Sequence, residues 1–406
     1  MNPPQLSPPK TQPGPLFVAA LAAVALINPL AVHLFMPVIP AVKAAFGVSA
    51  AMAQLTFSIA LFTMAFATLI YGSLADRFGR RPVLLSGLGL FLAGSVISVL
   101  AETAAVLVIG RLVQAVGAGC GMTLARTIAR DAFGADQIIK VLAYLTMFST
   151  IGPMISPPIG GFLVDVLGWR SVFGFALVVG AIITATAFIG ISETRPATAA
   201  GQGHIGVLRS YVALFSHARF AAFVLQAGFT TGAFMTVASA SASLMPEYLH
   251  RPATEFGLYF LLFPIGFMIG NLISSRLSTR VSIEFMVCVG SLLTFAAIVT
   301  QAVLLLSGAM TPLAIFLPGT FLTMGQGIAL PYGQAGAMAT IPQLAGTAAG
   351  VGVFMQFFAG ASFSQLYGLL ADGTPLPMVA IATATGAVGM VVGAIPLALA
   401  RKSGHS

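Results

Sequence analysis

Twelve times along this chain, about twenty or more residues pass with almost no charged side chain, and short polar turns divide each run from the next. A helix needs about 20 apolar residues to cross the hydrocarbon core of a bilayer. The runs fall near 16–40, 50–72, 83–101, 104–128, 138–163 and 170–191, then near 219–245, 254–275, 284–306, 311–338, 345–370 and 376–400. The spacing predicts an all-α polytopic membrane protein with twelve transmembrane helices. Only 7% of the residues are charged, against about 25% in ordinary soluble domains, so a soluble fold would expose far too much apolar surface.

The longest polar stretch, 192–218, divides the runs six and six. We therefore expect a disordered cytoplasmic tail at 1–15, rich in Pro and Gln, a six-helix bundle at 16–191, a cytoplasmic linker at 192–218, a second six-helix bundle at 219–400 and a short cytoplasmic tail at 401–406. The first run is too long for the apolar part of a signal peptide. With both termini inside, nearly all Lys and Arg fall in cytoplasmic loops, leaving Lys43, Arg170 and Arg251 outside and Arg111 within a run. The net charge of +8 thus reports orientation, and no basic stripe interleaved with aromatics is present to track a nucleic acid. Cys120 and Cys288 both lie inside apolar runs, which leaves neither a disulfide framework nor metal-ligand spacing.

The one dense charge cluster of the first hundred residues is Gly72-Ser-Leu-Ala-Asp76-Arg77-Phe-Gly79-Arg80-Arg81. Gly72 is expected to let one helix end lie close to a neighbour and Gly79 to allow a tight turn, while Asp76 offers a carboxylate to the arginines or to a helix N-terminus. This loop resembles the one between the second and third helices of the major facilitator superfamily of transporters. The resemblance implies that fold, with two bundles related by a parallel repeat, and a part for the loop in holding one conformation. A weak echo, Asn271 to Arg280, keeps arginines at Arg276 and Arg280 but loses the aspartate and both glycines. Gly117-x-x-x-Gly121, Gly266-x-x-x-Gly270 and Gly346-x-x-x-Gly350 are expected to let helix backbones approach.

Arg111 stands deep in the fourth run, as Arg111-x-x-Gln114-x-x-Gly117. A guanidinium there costs several kcal/mol unless it meets a watery cavity or a partner, at least ~2.5–3.5 kcal/mol on the gentlest scale. The spacing matches the superfamily's fourth-helix motif, which implies proton coupling or substrate binding; snorkelling to the helix end is the alternative. The fifth run carries Gly152-Pro153-Met-Ile-Ser156-Pro157-Pro158-Ile-Gly160-Gly161, whose prolines remove backbone donors and whose glycines allow a bend. It resembles the fifth-helix antiporter motif of facilitator drug exporters, with Ser156 where a glycine usually stands, and this implies export. Together with Asn28-Pro29 to Pro40 and Arg126-Thr-Ile-Ala-Arg130-Asp131, it is similar to the drug:proton antiporter branch that includes the bicyclomycin-resistance exporters. In that branch an aspartate commonly stands where His33 is found here.

All ten carboxylates fall in loops or at run ends, and His33 is the one intramembrane residue whose ordinary pKa lies near neutrality. His33 is therefore the candidate proton carrier; a neutral histidine hydrogen-bonded inside the bundle is the alternative. Asn28, Gln54, Gln114, Gln226, Gln326, Tyr332, Gln356 and Gln365 are candidates to line a central cavity, each equally suited to an interhelical hydrogen bond. With Arg111 as the sole deep charge, a lipophilic neutral or anionic substrate fits better than a dication. Proton-coupled efflux of a small drug or metabolite leads, and import of an organic anion held by Arg111 is the alternative. No metal set, catalytic triad or appended soluble domain supports an enzyme, and no cofactor is expected. The expected partners are a small-molecule substrate, protons and the lipid bilayer of the inner membrane, for a monomer without nucleic acid.

Overall fold

The computed structural model describes residues 14–133, 135–195, 207–278 and 280–403. Residues 1–13 of the tail expected at 1–15, the linker centre at 196–206 and residues 404–406 lie outside the described residues, and Pro15 already opens the first helix. The described residues are helical with no strand, and twelve helical stretches are long and apolar enough to cross a membrane. Their ends lie within a few residues of the expected runs, except that the first continuous crossing helix ends at His33 rather than 40 and the second extends to Phe78 rather than 72.

Proline sets where the first stretch breaks. It divides into α1 (Pro15–Ala25), α2 (Ile27–His33) and α3 (Val38–Phe46). Pro29 and Pro37 cannot donate to the carbonyls four residues back, those of Ala25 and His33, where α1 and α2 end. There follow α4 (Ala50–Phe78), α5 (Arg80–Val99), α6 (Ala104–Ala118), α7 (Cys120–Ala132), α8 (Ala135–Leu167) and α9 (Trp169–Gly190). After α10 (Val207–Phe215) come α11 (Ala218–Glu247), α12 (Ala253–Phe260), α13 (Leu262–Leu277), α14 (Ile283–Leu306), α15 (Pro312–Thr340), α16 (Ala345–Leu370) and α17 (Leu376–Ser403). Pro264 breaks the eighth crossing into α12 and α13 by the same mechanism. By contrast α8 stays one helix through Pro153, Pro157 and Pro158.

Small residues bring the backbones together. A Cβ on Gly94 would stand 2.2 Å from the Gln114 backbone, one on Gly117 2.3 Å from that of Phe91, and one on Gly121 2.9 Å from the Val24 carbonyl. Gly266 and Gly270 press equally closely on the carbonyls of Thr320 and Met324. The third expected pair differs: nothing lies within 4 Å of a Cβ on Gly346, and Gly350 meets only the tip of Leu69 at 3.7 Å. There the seam between α4 and α16 is filled by rings, with Phe62 against Phe358 and Phe66 against Phe354, which hold the backbones apart.

The most extensive contacts between the halves are those of α4 with α16 and of α8 with α12, with α3 against α11 as a smaller one. At the end carrying Lys43 and Glu247 they meet closely: a Cβ on Gly368 would stand 2.4 Å from that of Gln54, and one on Gly161 2.2 Å from the Ala253 carbonyl. Gln365 also donates to the Ala51 carbonyl and accepts from Ser58.

Candidate transport site

Arg111 is 1% exposed and does not reach the end of its helix. Its Nε donates to the Thr56 carbonyl at 3.0 Å, one Nη to Gln114 Oε1 at 2.5 Å and the other to the Ala31 carbonyl at 2.8 Å. The Phe35 ring lies below the guanidinium, 4.0 Å to its centroid. Ala31 is available because α2 stops at His33, which leaves its last carbonyls without helical donors. Gln114 continues the chain of bonds to Ser95 Oγ at 2.8 Å. A charge without an acidic partner among the described residues is thus satisfied by carbonyls, an amide and a π-face. It ties α2, α4, α5 and α6 together.

His33 is the last residue of α2 and half-buried. Its Nδ1 makes no hydrogen bond of normal geometry, with the Pro29 carbonyl one turn back as its backbone neighbour. Its ring stands edge-on to Phe260 of α12, centroids 6.1 Å apart, so it touches the opposite half of the chain. The glycines of the fifth-helix motif pack α8 against this helix end and, at Gly161, against the other half. Gly152 packs on Pro29, Gly160 on the Leu34 carbonyl next to His33, and Gly161 on Ala253, while Gly257 returns the contact on Pro157. Ser156 is buried, and Pro153 is part-buried beside Gly152.

The amides divide into two groups. Gln114 serves Arg111, Gln226 donates to Ser291 Oγ at 2.9 Å, Gln326 to the Thr230 carbonyl at 2.6 Å, Tyr332 to the Ser274 carbonyl at 3.2 Å and Gln356 to its own helix at Gly352. These bonds stay within one half. Gln54 differs: it is 1% exposed, neither amide atom has a partner, and it lines a cavity of about 30 Å³ with Lys43, Glu247 and Tyr367. Asn28 is half-buried on α2.

At the other end of the molecule the charged loop is a closed network. Arg80 bonds Asp76 at 2.5 Å and Asp131 at 2.9 Å, and its backbone N–H donates to Glu193 Oε1 at 2.9 Å. Arg81 N–H donates to the other Glu193 oxygen at 3.2 Å, and its guanidinium to the Phe188 carbonyl. Gly79 has φ +101°, and a Cβ there would stand 2.7 Å from Glu193 Oε2, so both the turn and the carboxylate demand glycine. Burial alone would push the Glu193 carboxyl up. The N–H groups of Arg195, Arg80, Arg81 and Thr194 outweigh this and hold it below the usual carboxylate range. Arg77 lies over Phe78 and accepts at its carbonyl from Arg195. Gly72 corrects the expectation placed on it, since nothing lies within 4 Å of a Cβ there. The contact at that turn is made by Tyr71, whose hydroxyl donates to the Val116 carbonyl, and Gly72 faces away.

The sequence reading missed Asp131 and Glu193 as partners of Arg80. The available signal was their position next to Arg130 and Arg195, in loops assigned to the same side of the membrane as Arg80.

The sequence model of the Major Facilitator Superfamily matches residues 21–364. The chain belongs to this superfamily. Among curated relatives, Multidrug resistance protein MdtL of Escherichia coli O81 (strain ED1a) is 33% identical over 186 residues, 46% of this chain and 48% of that protein. The chain thus spans about half the length of that relative. Multidrug resistance protein D of Escherichia coli (strain K12) is 27% identical over 79% of this chain and 80% of its own length. Solved structures share the fold: a POT family transporter superimposes with a TM-score of 0.76 at 14% identity over 95% of this chain and 96% of its own. A D-xylose-proton symporter gives 0.72 at 15% identity, over 93% and 96%. With twelve helices among its described residues long and apolar enough to cross a membrane, this superfamily member is a multi-pass inner-membrane protein.

Proposed function

We propose that the chain is a secondary active transporter that exports small lipophilic compounds by alternating access, in exchange for protons. One observation carries the coupling: a titratable ring, His33, ends a proline-broken helix on the seam between the halves, with Nδ1 free to take a partner and Phe260 of the other half against it. Parting the seam changes the solvation of that ring, which is what a coupled proton requires. Arg111 holds the same helix end through Ala31, so it positions His33 rather than binding substrate. With its guanidinium engaged inside the protein, the anion-import reading loses its support, and a neutral lipophilic substrate fits the amides and rings that remain. The drug-resistance names of the relatives support the same reading. In this reading residues 16–191 and 219–400 are the rocking bundles, 192–218 joins them, both termini are cytoplasmic, and the protein works as a monomer.

Inverted vesicles with an imposed pH gradient, screened against a panel of lipophilic dyes, test transport, direction and coupling together. The wild type should concentrate dye at the expense of protons. His33→Gln should move dye only down its gradient, and His33→Asp should restore coupling. Should His33→Gln still concentrate dye, the proton route does not include His33.

A further inference from the structure

The contacts between α8 and α12 contain a carboxylate that the transport reading leaves unused. Asp165 lies in the last turn of α8, and its two oxygens accept from the backbone N–H groups of Ala253 at 3.1 Å and Thr254 at 2.7 Å. The Thr254 hydroxyl donates to the second oxygen at 2.6 Å. These are the first N–H groups of α12, whose own cap residue, Pro252, supplies no side-chain bond. A residue of one half therefore caps a helix of the other.

The approach is built into the backbone. Gly161, one turn before Asp165, lies against the Ala253 carbonyl, and Gly257, one turn into α12, lies against the Pro157 carbonyl. This ladder aims the carboxylate at the positive end of the helix. Nearby, Lys43 and Glu247 also cross the seam at 2.7 Å. Asp165 is exposed too, but Lys43 and Glu247 are two long flexible chains whose pairing in water contributes little, whereas Asp165 is a short side chain held against backbone donors. Three charge-assisted bonds on a fixed backbone outweigh it.

We propose that Asp165 is the latch that keeps the Lys43 end of the protein closed, and that breaking its cap on α12 is the step that opens this end during transport. Water can replace both sides of the cap when the helices part, so the latch is reversible.

The test uses the full chain in lipid nanodiscs, with Cys120 and Cys288 replaced by serine and spin labels at Leu167→Cys and Ala309→Cys, read by pulsed dipolar spectroscopy. Asp165→Ala should raise the ratio of long to short distances about tenfold, equivalent to ~1.4 kcal/mol. Asp165→Glu should recover part of the closed population, and Lys43→Ala should change the ratio less than about twofold. If Asp165→Ala does not fold, Asp165→Asn, of the same shape, carries the same expectation. An unchanged distribution in the alanine or asparagine variant, or an equal shift in Lys43→Ala, overturns the assignment. The measurement needs neither substrate nor proton gradient, so its failure leaves the export reading untouched.

Discussion

In the N-terminal half the buried polar link between helices is a charge, Arg111, and in the C-terminal half it is a set of neutral amides. Gln226 bonds Ser291, Gln301 bonds the Ile315 carbonyl and Gln326 bonds the Thr230 carbonyl, each joining two helices. Arg111 joins four helices through bonds to Ala31, Thr56 and Gln114 and, beyond Gln114, to Ser95. A guanidinium has enough donors to organise several elements at once, whereas each of these three amides reaches one other helix. The half carrying His33 is thus the more firmly tied of the two around its polar centre.

The strongest way to break this contrast is to delete each link in turn. Arg111→Ala leaves the Ala31 carbonyl and the Gln114 oxygen without their donor, while the Thr56 carbonyl keeps its place in the α4 ladder, and each unsatisfied buried group costs about 1–3 kcal/mol. Relief from burying the charge offsets part of this, so a net loss of about 3 kcal/mol is expected. Gln326→Ala should lose about 1 kcal/mol, the usual size of an interhelical bond in membrane proteins. Unfolding titrations in mixed micelles measure both. Equal losses would show that charge and amide do the same job. Arg111→Lys should keep the charge but lose the fork, and recover only part of the stability.

A smaller asymmetry lies in the glycines of the two seams. At α8 and α12 the backbones touch, and Gly161→Ala would place a methyl 2.2 Å from the Ala253 oxygen. Neither backbone can yield without parting the helices, so a loss of about 1–3 kcal/mol and of most transport is expected. Along the Gly350 part of α4 and α16, away from Gly368, the rings set the spacing. Gly350→Ala should there be tolerated, or gain up to ~1 kcal/mol from helix propensity. The same titrations, with dye transport alongside, compare the two. A Gly350→Ala variant as damaged as Gly161→Ala would mean that both seams close tightly during the cycle.

How much of this was legible in the sequence follows from the range of the forces involved. The twelve crossings were readable because bilayer thickness fixes a length of apolar chain, whereas the breaks before Pro29 and Pro37 were not expected within the single run 16–40, since α8 shows that a membrane helix can also run on through proline. The charged loop was recognisable as a motif, but Asp131 and Glu193 join it from α7 and from beyond α9, and no spacing rule connects residues that far apart. The role expected of Gly72 failed for a related reason: whether a glycine faces a neighbour depends on helix rotation, and here Tyr71 takes the contact. The amides could be named as buried. Only packing shows that Gln326 serves Thr230, whereas Gln54 is left without a partner.

The mildest test concerns the two echoing loops. The N-terminal one is clamped by Glu193, whereas Arg276 and Arg280 in its C-terminal echo are exposed side chains. Four backbone N–H groups hold the Glu193 carboxyl below its ordinary value near 4.3. A lowered value means that the ionised form is favoured by the fold. The clamp therefore contributes fully above the ordinary value, and its contribution fades as pH falls through the lowered one. Hydrogen exchange of the segment 77–84, corrected for intrinsic rates, should stay protected from neutral pH down to about 4 and rise a few-fold below it. Glu193→Gln keeps the shape but removes the charge, so its segment should exchange faster at neutral pH and show no acid step. The segment 271–278, which has no such carboxylate, should show no step in either protein. An acid step of equal size in both segments would trace the change to general unfolding and remove the clamp from the account.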